Sequence, residues 1–277
     1  MKKIFNIIAI SLLTCFSFYY TDQIILYSKK QNPIYQKIYQ KKEELNIAPV
    51  NAEIEGNNII SGKNGLTIDI NKSYQNMQSL QEYNENLLFF ISEEPKISIK
   101  NNYDNYIING NKIDRKVSLI FKIDSIYNLD NIIKILKNNN VIANFFIESD
   151  YYKELEPYIE KISKEKNLIS NAGPYNKKIK YNNYLLEKHT TEKIKYCLTL
   201  EENKETLKQC KKNNMYTIKP IEVSKTKPYN YIYKNLSEGN IYYLENNKYL
   251  IDNLDIIIKY IKQKGYKIVD LNNLLNV

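Results

Sequence analysis

Between residues 117 and 147 the chain alternates, then cycles, then runs apolar again. Val117, Leu119 and Phe121 take every second position, the spacing of a strand. After a polar loop, Leu129, Ile132, Ile133 and Leu136 recur at helical spacing and make one apolar face. Asn138, Asn139 and Asn140 stop that helix. Val141, Ile142, Ala143, Phe145, Phe146 and Ile147 then read as a second, buried strand. Strand, helix and strand with short connections form a parallel right-handed crossover. The pattern continues with helices predicted over 152–164, 203–213 and 254–264. Strands are predicted over 168–170, 193–199, 215–221 and 239–244, with a last one after Gly265. Alternating strands and helices predict an α/β, barrel-like domain over 114–277. Ligands of such barrels sit at the C-terminal strand ends.

Residues 50–113 follow another pattern. Short apolar stretches at Ile54, Ile59-Ile60, residues 66–70, residues 87–90 and Ile97-Ser98-Ile99 are divided by Gly56, Gly62, Gly65 and Pro95, which predicts a small mostly-β module. Residues 28–49 are polar, with Ile34, Tyr35, Ile38 and Tyr39 at helical spacing, and read as a stalk ended by Ala48-Pro49. Residues 1–27 open with Lys2 and Lys3 before an uncharged run from residue 4 to 20. Three readings compete there: a cleaved signal peptide, a lipoprotein site at Cys15 and an uncleaved signal anchor. The anchor is favoured because no small-x-small cleavage site stands out and Tyr19 and Tyr20 suit an interface. Each reading places the main domain outside the cytoplasmic membrane.

The frame of 115–277 resembles the NodB homology domain of polysaccharide deacetylases. That family opens Leu-Thr-Phe-Asp-Asp-Gly and, after a helix, continues Ala-Thr-Phe-Phe. Here Leu119-Ile120-Phe121-Lys122-Ile123-Asp124 precedes Ala143-Asn144-Phe145-Phe146. The family closes on Gly-x-Ile-x-Leu-Leu-His, a helix and Lys-Lys-Gly-Tyr-Lys. The counterparts are Gly239-Asn240-Ile241-Tyr242-Tyr243-Leu244-Glu245 and Gly265-Tyr266-Lys267. The resemblance implies an irregular (β/α) barrel of the deacetylase type. It also implies a catalytic Asp, a metal-binding Asp, a His-x-x-x-His box and a late His. Those positions hold Lys122, Ile123, Ala172 with Asn176, and Glu245. The Arg-x-Pro-Tyr segment that orients the base has no convincing counterpart.

A count supports the same point without alignment. A catalytic zinc takes about three protein ligands, commonly two or three His, and the whole chain has one, His189. Cys15, Cys197 and Cys210 have no Cys-x-x-Cys spacing. No metal site and no cofactor is expected. The reading is a membrane-anchored, catalytically degenerate deacetylase relative that binds envelope glycan or an envelope protein. The alternative is a carbohydrate deacetylase acting on the C–N amide bond through an unconventional site at Asp124, Glu148 or Asp150.

Six residues are the binding candidates at the predicted strand ends: Lys122, Asp124, Asn171, Tyr175, Asn176 and Glu245. Each has a plain structural rival. Lys122 either contacts an anionic sugar or is solvated. Asp124 either binds a hydroxyl or caps the next helix. Asn171, Tyr175 and Asn176 either face a sugar or belong to the turn at Gly173-Pro174. Glu245 either opens to the groove or pairs with Lys122 and plugs it. His189 reads as an exposed loop residue. Cys197 and Cys210 are either separate core residues or, after export, a disulfide.

The net charge of +9, from 40 basic and 31 acidic residues, suits an anionic partner. The Lys, Asn, Ile and Tyr bias runs along the whole chain, however, and no nucleic-acid motif interrupts it. Nucleic acid is not an expected partner.

Overall fold

A computed structural model describes residues 2–173 and 179–276. In chain order the helices α1 (Lys2–Gln31) and α2 (Pro33–Leu45) come first. The strands β1 (Glu53–Glu55), β2 (Asn58–Ile60) and β3 (Gly65–Ile68) follow, then α3 (Ile70–Gln78), β4 (Phe90–Glu93) and β5 (Tyr106–Asn109). The predicted crossover is β6 (Lys116–Ile123), α4 (Leu129–Asn138) and β7 (Asn144–Glu148). Next come α5 (Tyr152–Lys164), β8 (Leu168–Gly173), α6 (Ile179–Glu187), β9 (Tyr196–Leu198), α7 (Lys204–Lys212) and β10 (Tyr216–Ile218). The chain closes with β11 (Ile221–Glu222), α8 (Pro228–Asn235), β12 (Ile241–Tyr243), α9 (Lys248–Gln263), β13 (Lys267–Ile268) and α10 (Leu271–Leu275).

The chain forms two compact units. The smaller contains residues 1–49 and 64–94, with α1, α2, the antiparallel pair β3–β4 and α3. Its core is Ile38, Ile68 and Met77, joined by partly buried Ile34, Tyr74 and Leu88. Asp69 starts α3 by accepting the Lys72 amide on its side chain at 3.0 Å, an N-cap. No helix among the described residues is long and apolar enough to cross a membrane, so the expected membrane-spanning N-terminal helix is not supported. The physical reason lies in α1 itself. Its uncharged run rises only about 25 Å against a hydrocarbon core of ~30 Å, and Ser11, Thr14 and Ser17 dilute it.

The larger unit contains residues 50–63 and 95–277. Its sheet has the order β1-β2-β5-β10-β9-β8-β7-β6-β12-β11, with β13 added beside β6. All pairings are parallel except β1 with β2. The path does not close, so the barrel is open between β1 and β11. The strands expected to build a separate module at 50–113 divide: β3 and β4 lie in the small unit, while β1, β2 and β5 extend the large sheet. Ile59 and Ile107, buried at 0% and 1%, are what that sheet gains.

Alternation along each strand separates two apolar layers. Val117, Leu119, Phe121, Ile123, Phe145 and Ile147 pack with Leu129, Ile132, Ile133 and Leu136 of α4. Ile120, Phe146, Leu198, Ile218, Ile241 and Tyr243 fill the opposite, inner face, where Leu271, Leu274 and Leu275 of α10 also pack. Neighbours Phe145 and Phe146 thus serve different layers.

A disulfide joins Cys197 on β9 to Cys210 on α7, with Cα atoms 6.2 Å apart and both residues fully buried. Of the two alternatives left open for these cysteines, the bond is the one found. His189 is not the exposed loop residue expected. Its side chain is 10% exposed, and its Nε2 lies 2.8 Å from the Tyr152 hydroxyl and 3.6 Å from a Glu156 oxygen.

Candidate functional site

The inner face ends, at the C-terminal ends of the strands, in a cavity of about 310 Å³. Lys122, Ala172, Thr199, Glu201, Asn203 and Glu222 line it. A second cavity of about 340 Å³ lies by Lys166, Asn167, Lys195 and Asp270, before β8 and β9 begin. That is the opposite end of the barrel from the end where ligands of this architecture sit.

Lys122 reaches the first cavity because β6 alternates: Phe121 and Ile123 point to the helices, so Lys122 points inward. Its partner there is Glu148, at 3.2 Å, and both side chains are about a quarter exposed, 30% and 25%. Glu245, considered as the partner of Lys122, instead binds Lys225 at 2.6 Å. That contact raises the Lys225 ammonium pKa, first through the hydrogen bond and then through charge. The two pairs form separately: Glu148 ends β7, a neighbour of β6, whereas Glu245 lies past the end of β12 and turns to Lys225, which follows β11.

Asn171 does not line the cavity, contrary to expectation. It is fully buried and faces α6. Its amide donates to Asn183 Oδ1 at 2.7 Å, and its own Oδ1 accepts the Gly173 amide at 2.8 Å. Strand alternation explains this: Ala172 faces the cavity, so its neighbour Asn171 faces away. Asp124 is exposed and does not cap α4, whose N-cap residue is Asn128 without a side-chain bond. Tyr175 and Asn176 lie outside the described residues.

Two inner residues were not among the sequence candidates. Glu222 on β11 sits in register with Tyr243 on β12, and lateral partners in a parallel sheet share a face. Tyr243 is 7% exposed. Burial pushes its hydroxyl pKa up to about 12, with Glu245, Asp124, Glu222 and Glu148 adding to the rise. The strand alternation that placed Lys122 would have found Tyr243. Glu222 gave no such signal, since it follows Pro220, where the predicted strand ends.

The catalytic metal of deacetylases does not fit these residues. The side chain at the metal-Asp position, Ile123, is 1% exposed within the helix-facing core. Ala172 offers only a methyl group. Among the described residues no three His, Cys, Asp or Glu side chains come together as a metal site.

A double-mutant cycle tests the pairing. Lys122→Ala and Glu148→Ala are expected to couple by about 0.2–1 kcal/mol, as partly exposed pairs do, and Lys122→Ala with Glu245→Ala by nothing measurable. Denaturant melts that reverse this order would show the groove plugged by Glu245.

The open parallel barrel, the entry strand with its following crossover and the groove at the strand ends are those of a polysaccharide deacetylase fold, with the metal positions replaced. The comparisons with known proteins agree. Wild-type BA3943 from Bacillus anthracis, described as a CE4 family pseudoenzyme, is 22% identical, covers 88% of this chain and 95% of its own, and superposes with a TM-score of 0.67. A BA3943 mutant described as having restored enzymatic activity gives the same identity and TM-score, over 87% of this chain and 97% of that one. The Bc1960 peptidoglycan N-acetylglucosamine deacetylase is 20% identical over 62% of this chain and 93% of its own, at a TM-score of 0.57. These likenesses establish the CE4 deacetylase fold. The uncharacterized protein YlxY of Bacillus subtilis strain 168 is 27% identical over 167 residues, or 59% of this chain. The chain spans about half the length, 50%, of that curated relative. No family model matches the chain.

Proposed function

We propose that this chain is an exported, catalytically silent protein of the deacetylase fold that binds envelope glycan in the groove at its strand ends. The observation that carries the reading is the replacement of the metal site by an apolar side chain in the core, Ile123, and by Ala172 on the groove wall. A hydrolase of this fold needs a Lewis acid to polarise the amide carbonyl and ready a water, and the described residues supply no ligand set for one. The description of BA3943 as a pseudoenzyme supports the same reading, as a likeness of fold. The buried disulfide supports export, since such bonds persist in oxidising compartments. A membrane span is not part of the proposal. The rival reading, amide hydrolysis through an unconventional site, draws on Glu148, which the ion pair with Lys122 already engages.

The purified full chain is expected to carry no stoichiometric zinc by elemental analysis. It is also expected to release no acetate from chitin oligomers or peptidoglycan, with or without added zinc or cobalt. Acetate release abolished by a chelator would overturn the proposal in favour of the hydrolase.

A further inference from the structure

The cavity at the starts of β8 and β9 has no part in the groove. Its volume of about 340 Å³ falls in the ~300–1,000 Å³ range of small-molecule sites. Lys166, Lys193 and Lys195 line it, together with Glu192 and Asp270. Both acids and one lysine are already engaged. Glu192 takes Lys195 at 2.9 Å and the Asn272 side-chain amide at 3.3 Å, and Asp270 caps α10 by accepting the Asn273 amide at 2.7 Å. The ammonium groups of Lys166 and Lys193 have no ion-pair or hydrogen-bond partner among the described residues.

Two further observations are independent of that charge. The first lies in the backbone. Lys166 stands at φ 61°, in the left-handed region that favours Gly and Asn. The corresponding positions at the ends of α4, α7 and α10 hold Asn140, Asn214 and Asn276, at 49°, 54° and 58°. After α5 the chain accepts strain to place a lysine instead, and that lysine lines the cavity. The second is a buried hydroxyl. Ser170 is 0% exposed, and its Oγ has no hydrogen-bond partner among the described residues. It shares a face of β8 with Leu168, and its lateral neighbour, one step before the Asn171–Cys197 pair, is Tyr196. Leu168 and Tyr196 both line the cavity, so the hydroxyl lies next to its inner wall. A buried polar group left unpaired costs free energy that a ligand hydroxyl, or a water it holds, can recover.

We infer that this cavity is a second binding site, for a phosphate monoester carried on a hydroxylated frame the size of a sugar. The two unanswered ammonium groups match the roughly two negative charges that a phosphate monoester carries near neutral pH. Each ammonium has three hydrogens to donate, and phosphate oxygens only accept them. A bare phosphate fills only part of the cavity. The remaining wall offers the Thr191 hydroxyl and the Tyr196 ring, with Ser170 behind them, surfaces that suit the hydroxyls and flat face of a sugar. The net charge of +9 draws anions to the chain at large, so binding here has to exceed that background. The site is at the other end of the barrel from the groove and stands or falls without glycan binding there.

Calorimetric titration of the full chain with glucose 6-phosphate, glucose, glucuronate and inorganic phosphate tests this. Glucose 6-phosphate is expected to bind roughly tenfold or more tightly than each of the others, the scale of one charge-assisted hydrogen bond. Lys166→Asn with Lys193→Ala should remove that binding. Melting should not fall in Lys166→Asn, because Asn suits the left-handed backbone. Lys134→Ala with Lys234→Ala takes the same charge from exposed lysines elsewhere and should leave the affinity unchanged. Ser170→Ala, which has no partner to lose, should narrow the margin over inorganic phosphate. Equal binding of inorganic phosphate overturns the inference and leaves an adventitious ion only. Equal binding of glucuronate, an equal loss in the two lysine pairs, or an unchanged margin in Ser170→Ala also overturns it. Binding by none of the four removes the site.

Discussion

Truncating Phe145 or Phe146 to alanine is expected to cost about 3–5 kcal/mol each, the range for a buried phenylalanine. The two are chain neighbours but answer to different surroundings. Phe145 packs toward the helices, its ring centroid 5.4 Å from that of Phe121. Phe146 is in the inner layer with Ile120, Leu198 and Tyr243. Both are 0% exposed, so neither side can relax into solvent. In a one-sided sheet one of the two would lie on an outer surface and its loss would cost little. Denaturant melts of the two variants therefore examine the two-layer architecture directly. A loss below about 1 kcal/mol at either position, the scale of an ordinary surface change, would show that one layer is missing.

Replacing Cys197 or Cys210 by serine is expected to cost about 3 kcal/mol, because the bond closes a loop with a sequence separation of 13 residues. The released thiol and the new hydroxyl would both sit in a fully buried place, which adds to the loss. Comparison of melting with and without reductant, on wild type and on the double serine variant, isolates the covalent contribution. Reductant should lower the wild-type midpoint and leave that of the double variant unchanged. The same bond reports on the compartment. Thiols trapped by alkylation in intact cells should show Cys15 reactive, since it is exposed, and Cys197 and Cys210 protected as a disulfide. Recovery of all three as free thiols would sink the proposal of export.

The crossover was legible in the sequence because its signal is local. Leu129, Ile132, Ile133 and Leu136 all lie buried on α4, and Asn139 and Asn140 end it, the latter at φ 49°. The last helix begins earlier than its apolar face suggests. Asn247 caps it by accepting the Leu250 amide, and Leu250 itself is buried on it, one apolar turn ahead of Leu254. The residue identities at the family's metal positions, and the single histidine of the chain, were readable as well, since neither needs a fold. What escaped is everything set by lateral neighbours. Lys122 meets Glu148, two residues beyond its register partner Phe146 on β7, rather than Glu245, which lies past the end of β12 and binds Lys225. Asn171 was misplaced by reading a strand end as a groove wall without asking which face each residue takes. The separate β module failed for the same reason: residues 53–60 and 106–109 read as strands correctly, but nothing in their own pattern says which sheet they join.

The placement of β5 between β2 and β10 bears on how this protein is handled at the bench. A fragment begun at residue 114, where the deacetylase-like pattern starts, would lack β5 and strip the partner from Thr217 and Ile218. The Lys219 amide would lose the Ile107 carbonyl that holds it at 2.9 Å. The exposed edge of β10, still paired with β9 on its other side, is a template for a second chain. Such a fragment would self-associate through that edge, and its insolubility would record a severed sheet rather than an unstable barrel.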